Sequence, residues 1–327
     1  MRPGSGRPTL PHDGGGNIES FVPRLILVPT DSSETAAHAL RYASALGERF
    51  GAHLLVIHAD PFIPPTDFTA NTAGVFEISR DAMMATARED LKSHAERNVS
   101  RRVPFDLRVI VGEPLDAIQA QVRASGASLV VMGTHGRTGV NRLLFGSVTE
   151  AVMRVAPVPV IAVNSTAGES AEVEKVLCPV AFTPACRDAL RHAAALGGPD
   201  TKLILLLRAD ADDADPHAGV DALNRLHRWL PPDLADRCEI RVVAGADEAE
   251  QIVEIATEMH AQMIAFGVAA GRPVTYSLLG TIAERVVQRS GCAVLTVNDH
   301  AAPVLPATTE REAAIAGSCA GLGSITA

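Results

Sequence analysis

The chain has 327 residues, 47% of them hydrophobic and 4% aromatic, so two domains with aliphatic, Ala-rich cores are the default expectation. Its 38 acidic and 29 basic side chains give a formal charge of −9, which argues against nucleic acid as the main partner, because a phosphate backbone calls for a basic patch. No apolar run approaches the roughly 18 residues of a membrane-spanning helix, so no membrane partner is expected.

Residues 1–20 are rich in Gly, Pro and Arg, lack apolar periodicity and are expected to be disordered. A first strand is predicted at Arg24–Val28, followed by Pro29, Thr30 and Asp31. A helix over 32–50 follows, with Ala36, Ala37, Leu40, Ala43 and Leu46 at helical spacing and Gly51 ending it. Leu54–Ala59 reads as the second strand, 60–77 as a Pro-rich loop, and the residues up to about 99 as a longer amphipathic helix. A third strand is expected near Phe105–Val111. Gly112-Glu113-Pro114 opens the next helix, with proline in its tolerated first turn, and Gly126 closes it. Strands alternating with helices in this way predict an α/β fold with a mostly parallel sheet.

The same order then returns. Val176–Val180 echoes Leu25–Pro29, Leu203–Asp210 echoes Leu54–Asp60, Met263–Gly267 echoes the fourth strand and Ala293–Val297 the fifth. The expected organisation is a disordered segment 1–20, a first domain 21–165, a linker 166–173, a second domain 174–299 and a loose tail 300–327. Five cysteines, at 178, 186, 238, 292 and 319, are scattered without a Cys-x-x-Cys pair. The N-terminus lacks the apolar core of a secretory signal. Both point to a reducing compartment, and cytoplasm is the expected location.

The most informative stretch is Leu129–Val163. The apolar run Leu129–Met132 reads as a buried parallel strand. Gly133 and Gly136 follow it at once, then Gly146-Ser147, then a helical pattern with Val148, Val152 and Val155 on one face, then a fifth strand at Val158–Val163. Glycines after a strand let a backbone approach a ligand closely. A Gly-Ser pair opening a helix offers free N–H groups at its positive dipole end, a plausible phosphate cradle. A P-loop would need a Lys before Ser147, and a dinucleotide fingerprint a Gly-x-Gly-x-x-Gly; neither is present. The spacing Gly-x2-Gly-x9-Gly-Ser, with its flanking strand and helix, resembles the nucleotide-binding signature of the universal stress protein family. The resemblance spans about residues 22–298 and implies two tandem Rossmann-like domains, each a five-stranded parallel sheet in the order 3-2-1-4-5 with helices on both faces.

That resemblance implies an ATP site in the first domain, with AMP or ADP as alternatives and Mg²⁺ as an optional companion bound through the phosphates. The matching acid, Asp31, would contact adenine or ribose; from the residues alone it reads equally as the N-cap of a capping box with Glu34. The backbone of Ala59 would read the adenine edge, and its residue-level alternative is simply core. Gly133, Gly136, Gly146 and Ser147 would cradle phosphate, with Thr149 as a weaker companion; Ser147 also suits a capping role. Arg137 is placed to reach a terminal phosphate or to sit solvated in its loop. Pro29, Thr30, Met132, Thr134, His135 and Val148 complete the expected lining. His135 has no Ser, Cys or Asp partner at a telling offset, so no catalytic residue is assigned. Thr138, Asn141 and Arg142 in the same loop are uncommitted. His38, His53, His58 and His94 lack metal-ligand spacing, and His58 reads as a structural hydrogen-bonder.

The second copy departs from the pattern: Ala181 stands where Asp31 would be and Ala270 where Gly136 would be, while Gly267 and Gly280-Thr281 survive. It is expected to bind nucleotide weakly or not at all and to serve as an intramolecular pseudo-dimer partner, pairing its fifth strand with that of the first copy, as the family's dimers do. A homodimer is a further option. Gly133→Glu and Gly146→Glu are each expected to abolish nucleotide binding with the fold intact. A binding protein with a regulatory role in stress response is favoured over a slow ATP hydrolase, since no acidic pair near the glycine loop offers to hold Mg²⁺ or orient water. A scaffold that binds no nucleotide is the third reading.

Overall fold

In a computed structural model, described over residues 21–60, 73–134, 146–208, 218–243, 247–268 and 281–299, the predicted strands and helices alternate through both copies. The first contains β1 (Leu25–Pro29), α1 (Glu34–Phe50), β2 (His53–Asp60), α2 (Ala73–Asn98), β3 (Phe105–Val111), α3 (Pro114–Ser125), β4 (Leu129–Gly133), α4 (Ser147–Val155) and β5 (Val160–Val163). The second contains β6 (Lys175–Pro179), α5 (Pro184–Gly197), β7 (Lys202–Arg208), α6 (Ala218–Trp229), β8 (Cys238–Val243), α7 (Glu248–Glu258), β9 (Met263–Val268), α8 (Thr281–Arg289) and β10 (Ala293–Asn298). The apolar stripe read on α1 is its buried face, and Gly51 closes that helix in the left-handed conformation (φ 64°) that favours glycine. One boundary differs from expectation: helix α2 starts at Ala73, inside the loop expected over 60–77, and residues 61–72 lie outside the described residues. The expected disordered segment 1–20 and the tail from 300 lie there too.

The strands join in one sheet in the order β3-β2-β1-β4-β5-β10-β9-β6-β7-β8. Each half is parallel and follows 3-2-1-4-5, with Ile26 opposite Leu129 in the first half and Val176 opposite Met263 in the second. The seam is antiparallel: Val294 faces Ala162, Leu295 faces Ile161 and Thr296 faces Val160. Helix α1 packs with α2 and α3 with α4, dividing the helices of the first half between the two faces of the sheet. A single apolar cluster runs across both halves under α3, α4, α7 and α8, drawing on Ile118, Val152, Ile252 and Val286 with Leu27, Val130, Leu177 and Ile264 from the strands. Strands buried on both faces account for the near-continuous apolar runs in the sequence.

Two asparagines lock the seam. Asn164, just past β5, is buried; its amide donates to the Ser290 carbonyl at the end of α8, and its Oδ1 accepts from the Thr166 and Ala167 backbone N–H groups at 3.0 and 2.7 Å. Asn298, at the end of β10, donates to the Ala156 and Arg154 carbonyls at the end of α4. Each half thus satisfies the orphan carbonyls that close the other half's last helix. The segment after β5 also packs on α1: Arg41 bonds Glu169 at 2.7 Å, and Arg49 bonds the Ala171 carbonyl at 2.7 Å. Among the described residues no helix is long and apolar enough to cross a membrane.

Candidate functional site

Because β1 lies between β2 and β4, the loops leaving β1 and β4 open side by side at the carboxyl end of the sheet, where the strand order reverses and α/β folds bind ligands. The loop after β1 is held by side chains. Thr30 is buried, and its N–H donates to the Ile57 carbonyl at 2.9 Å. Its Oγ1 accepts the Ser32 N–H at 3.0 Å and lies 3.2 Å from Nε2 of buried His94 on α2. Its carbonyl lies 2.8 Å from Nδ1 of His58; a carbonyl only accepts, so His58 carries its proton on Nδ1. His58 is therefore the structural hydrogen-bonder read from the sequence. The contact of His94 was not foreseen, since no local signal marks a helix residue that reaches a strand end 64 positions away.

The capping box on Asp31 does not form. Ser33 is the N-cap of α1 and accepts the Ala36 N–H at 3.2 Å. Asp31 accepts the Ser33 N–H at 3.0 Å through Oδ1. Ser32 sits between them in the left-handed region (φ 62°). The cap falls two residues later than the Asp31 register read from the sequence, which leaves Asp31 in the loop that faces the crevice. Pro29 ends β1 half-buried, and Ala59, near the end of β2 opposite Ile110, is half-buried rather than core.

On the β4 side, buried Met132 belongs to the apolar cluster, and Gly133 is the last strand residue. A Cβ on Gly133 would lie 2.9 Å from the Thr35 carbonyl oxygen in the first turn of α1. The glycine is thus required by helix packing, whatever binds nearby. It follows that Gly133→Glu would disturb α1, contrary to the expectation that the fold stays intact. Buried Thr149 donates its hydroxyl to the Gly133 carbonyl at 2.7 Å, so its side chain supports the strand end. The Thr134 N–H donates to Val163 at 3.1 Å, and the Gly146 N–H donates to the Thr134 carbonyl at 2.8 Å, which pins together the two ends of the connection between them. His135, Gly136 and Arg137, with Thr138, Asn141 and Arg142, lie outside the described residues.

Gly146 is the N-cap of the nine-residue α4 and supplies no side chain to it. Ser147 is the first helical residue and is exposed, so it does not cap; Val148 is half-buried. The first-turn N–H groups of Ser147, Val148 and Thr149 have no acceptor within a helix, and none is found for them among the described residues. They project at the positive end of the helix dipole, with the carboxylate of Glu150 in the same turn. The geometry of these backbone N–H groups suits an anion such as phosphate.

The second half keeps the scaffold and changes the chemistry. Phe182 repeats the left-handed conformation of Ser32 (φ 54°), and Thr183 repeats the N-cap of Ser33, accepting the Cys186 N–H at 3.2 Å. Ala181, exposed, stands at the position of Asp31. The ring of Phe182 packs edge-on against buried Trp229 at 5.9 Å, with the Arg225 guanidinium 4.3 Å above it. Gly267 survives for the reason Gly133 does: a Cβ there would overlap the backbone of Ala185 and Cys186 at the start of α5. Ala270, Gly271, Gly280 and the rest of that loop lie outside the described residues.

The universal stress protein family profile matches twice, at residues 23–164 and 172–298. A universal stress protein of Methanocaldococcus jannaschii is 30% identical over 139 residues, 42% of this chain and 81% of its own. One of Thermus aquaticus is 33% identical over 142 residues, 43% of this chain and 98% of its own. The crystal structure of a universal stress protein from Archaeoglobus fulgidus aligns with a TM-score of 0.59 at 18% identity, covering 85% of this chain and 99% of that one, which supports the fold over both halves. With both copies matched, the chain belongs to the universal stress protein family.

Proposed function

We propose that the first half holds one adenine nucleotide, ATP in preference to AMP or ADP, and that this binding serves a regulatory role in stress response. The observation that carries the reading is the juxtaposition of the Asp31 loop with the first turn of α4 across neighbouring strands β1 and β4. Phosphate suits the N–H groups of Ser147, Val148 and Thr149, for which the described residues offer no acceptor. Asp31 suits a ribose or adenine donor, and Ala59 lies near the end of the adjacent strand. Arg137, Gly136 and the loop after β4 would complete the phosphate side, and a divalent ion would be held through the phosphate oxygens. Bound nucleotide supplies charge for a partner or for the protein itself to sense; no residue here is assigned to cleave it. In the second half Ala181 replaces the acid in a loop of the same conformation and Phe182 packs on Trp229, so one nucleotide per chain is the proposed stoichiometry. The free thiols of Cys178, Cys186, Cys238 and Cys292 suit a reducing cytoplasm.

The test is nucleotide content and uptake. Protein purified without added nucleotide is denatured and the released small molecules identified, then ATP uptake is measured by equilibrium dialysis with Mg²⁺. The expected result is one ATP per chain, with Asp31→Ala weakening binding about 10- to 100-fold through loss of a charge-assisted hydrogen bond. No uptake at millimolar ATP would overturn the proposal in favour of a scaffold. ADP recovered with turnover of added ATP would favour the hydrolase.

A further inference from the structure

The internal seam consumes β5 and β10, which leaves β3 and β8 as the edge strands of the sheet among the described residues. The β3 edge has three features that point to the same occupant. The first is its open ladder. Leu54 donates to the Pro104 carbonyl and Gly112 donates to the Asp60 carbonyl. In a parallel ladder this parity turns the even-numbered residues of β3 toward β2 and leaves the N–H and C=O groups of Phe105, Leu107 and Val109 facing outward.

The second feature is a groove. Two adjoining hollows of about 490 and 480 Å³ run between α2 and this edge, floored by Met84 and Ala85 of α2 with Phe105, Leu107 and Val109 of β3, and lined on the α2 side also by the charged Arg88, Glu89, Lys92 and Glu96. Side chains of an added strand on the α2 face of the sheet would enter it. The third feature is charge. Asp106 and Arg108 alternate with the apolar residues and lie on the α3 face, where Arg108 bonds Gln121 of α3 at 2.6 Å and Asp106 bonds His53 at 3.1 Å.

We propose that the β3 edge pairs with the β3 edge of a second copy of this chain, antiparallel about a two-fold axis through Leu107. Only some registers let outward-facing groups meet. With Leu107 opposite Leu107 of the copy, Phe105 meets Val109, and these are hydrogen-bonded pairs of the required parity. The intervening pair sets Asp106 against Arg108 of the copy, twice, at the close spacing of non-hydrogen-bonded pairs. Shifting the sum of paired positions by two in either direction sets Asp106 against Asp106 or Arg108 against Arg108. Charges on an edge strand ordinarily repel other strands; here they select one register of self-pairing, and Phe105, Leu107 and Val109 of each copy fill the other's groove. The β8 edge is a weaker competitor, because Glu239 and Arg241 neutralise each other within the strand at 3.0 Å.

The test is sedimentation velocity of the full chain across micromolar concentrations. The expected result is a monomer–dimer equilibrium. Asp106→Arg and Arg108→Asp should each raise the dimer dissociation constant about tenfold or more by opposing like charges twice. Mixing the two variants should restore a dimer, since the doubly positive edge of one then meets the doubly negative edge of the other; this recovery also certifies that both are folded. Leu107→Pro, which removes an outward N–H and leaves the β2 ladder, should abolish pairing. A wild-type monomer at all concentrations, a dimer indifferent to all three changes, or growth into open chains, as β3-to-β8 pairing would produce, overturns the proposal.

Discussion

Asn164→Ala tests whether the two halves are bound through the asparagine lock at the seam. The alanine removes the donor to the buried Ser290 carbonyl and the acceptor for the buried Ala167 N–H; the Thr166 groups are exposed and can turn to water. Two buried polar groups left unpaired cost about 1–3 kcal/mol each. Ala167 keeps a longer contact to the Asn164 carbonyl at 3.3 Å, so the sum should fall near the middle of that range, about 2–4 kcal/mol, or roughly 5–10 °C in Tm. Asn164→Asp should be worse at neutral pH, because it turns a carboxylate toward the carbonyl end of α8. Burial and those carbonyls raise the folded-state pKa of that Asp, so its extra penalty is present above the folded pKa and should fade on acidification, whereas Asn164→Ala should show no such recovery. Urea unfolding read by far-ultraviolet circular dichroism and by fluorescence of the single Trp229 is the assay. The tryptophan reports the second half and the dichroism both, so coincident transitions mean the halves unfold together. A loss below about 0.5 kcal/mol for Asn164→Ala, within the range of ordinary surface substitutions, would refute the lock.

Other outcomes follow from the same contacts. Gly267→Ala should destabilise more than Gly133→Ala, by about 1–3 kcal/mol of overpacking, because its Cβ overlaps backbone atoms of α5 whereas that of Gly133 lies 2.9 Å from Thr35; equal denaturation midpoints would contradict this. Gly146→Glu should lower ATP uptake with little change in Tm, checked by dialysis and thermal melts side by side. Burial pushes the Cys238 thiol up to about 11 and Cys292 up to about 12, so alkylation mapped by mass spectrometry should be slow at neutral pH and accelerate at Cys238 first as pH rises. Burial raises the Tyr42 phenol above its ordinary value of 10.0. Its contribution to stability is therefore complete below pH 10 and should decline above it, visible as a falling urea midpoint.

Much of the architecture was legible because both faces of the sheet are covered: buried strands leave apolar runs such as Leu129–Met132 and Leu203–Leu207, and these recur in the same order in each half. The stripe of Ala36, Leu40, Ala43 and Leu46 similarly announced α1. What escaped depended on partners far away in the chain. Asn164 and Asn298 look like ordinary strand-end residues, yet their acceptors lie 126 and 142 positions away. The same holds for His94 against Thr30. The capping alternative weighed for Asp31 fails for a local reason: Ser33 can also accept an N–H at the start of α1, and with Ser32 in a left-handed turn the cap falls on Ser33.

The duplicated halves also show which parts of the glycine signature bear on ligand and which on packing. If Gly133 existed only to admit phosphate, its counterpart would be free to change in a half that has lost the matching acid. Gly267 has not changed, and the reason is visible in the backbone of Ala185 and Cys186 against which it packs. The first glycine is thus a requirement of seating the first helix on the sheet, and its presence says little about binding. Asp31 behaves otherwise. Its counterpart Ala181 sits in a loop with the same left-handed residue and the same N-cap position, so the acid is not needed to build that turn. A carboxylate that this turn can do without, kept in the half where its loop opens beside that of β4, is better explained by what it faces than by what it holds up. By that argument Asp31, rather than Gly133, is the residue on which the nucleotide proposal stands or falls. Asp31→Ala should accordingly leave stability within about 1–2 kcal/mol of wild type, the range of partly exposed hydrogen bonds, while removing most of the ATP uptake. A variant that melted early and bound ATP normally would reverse that assignment.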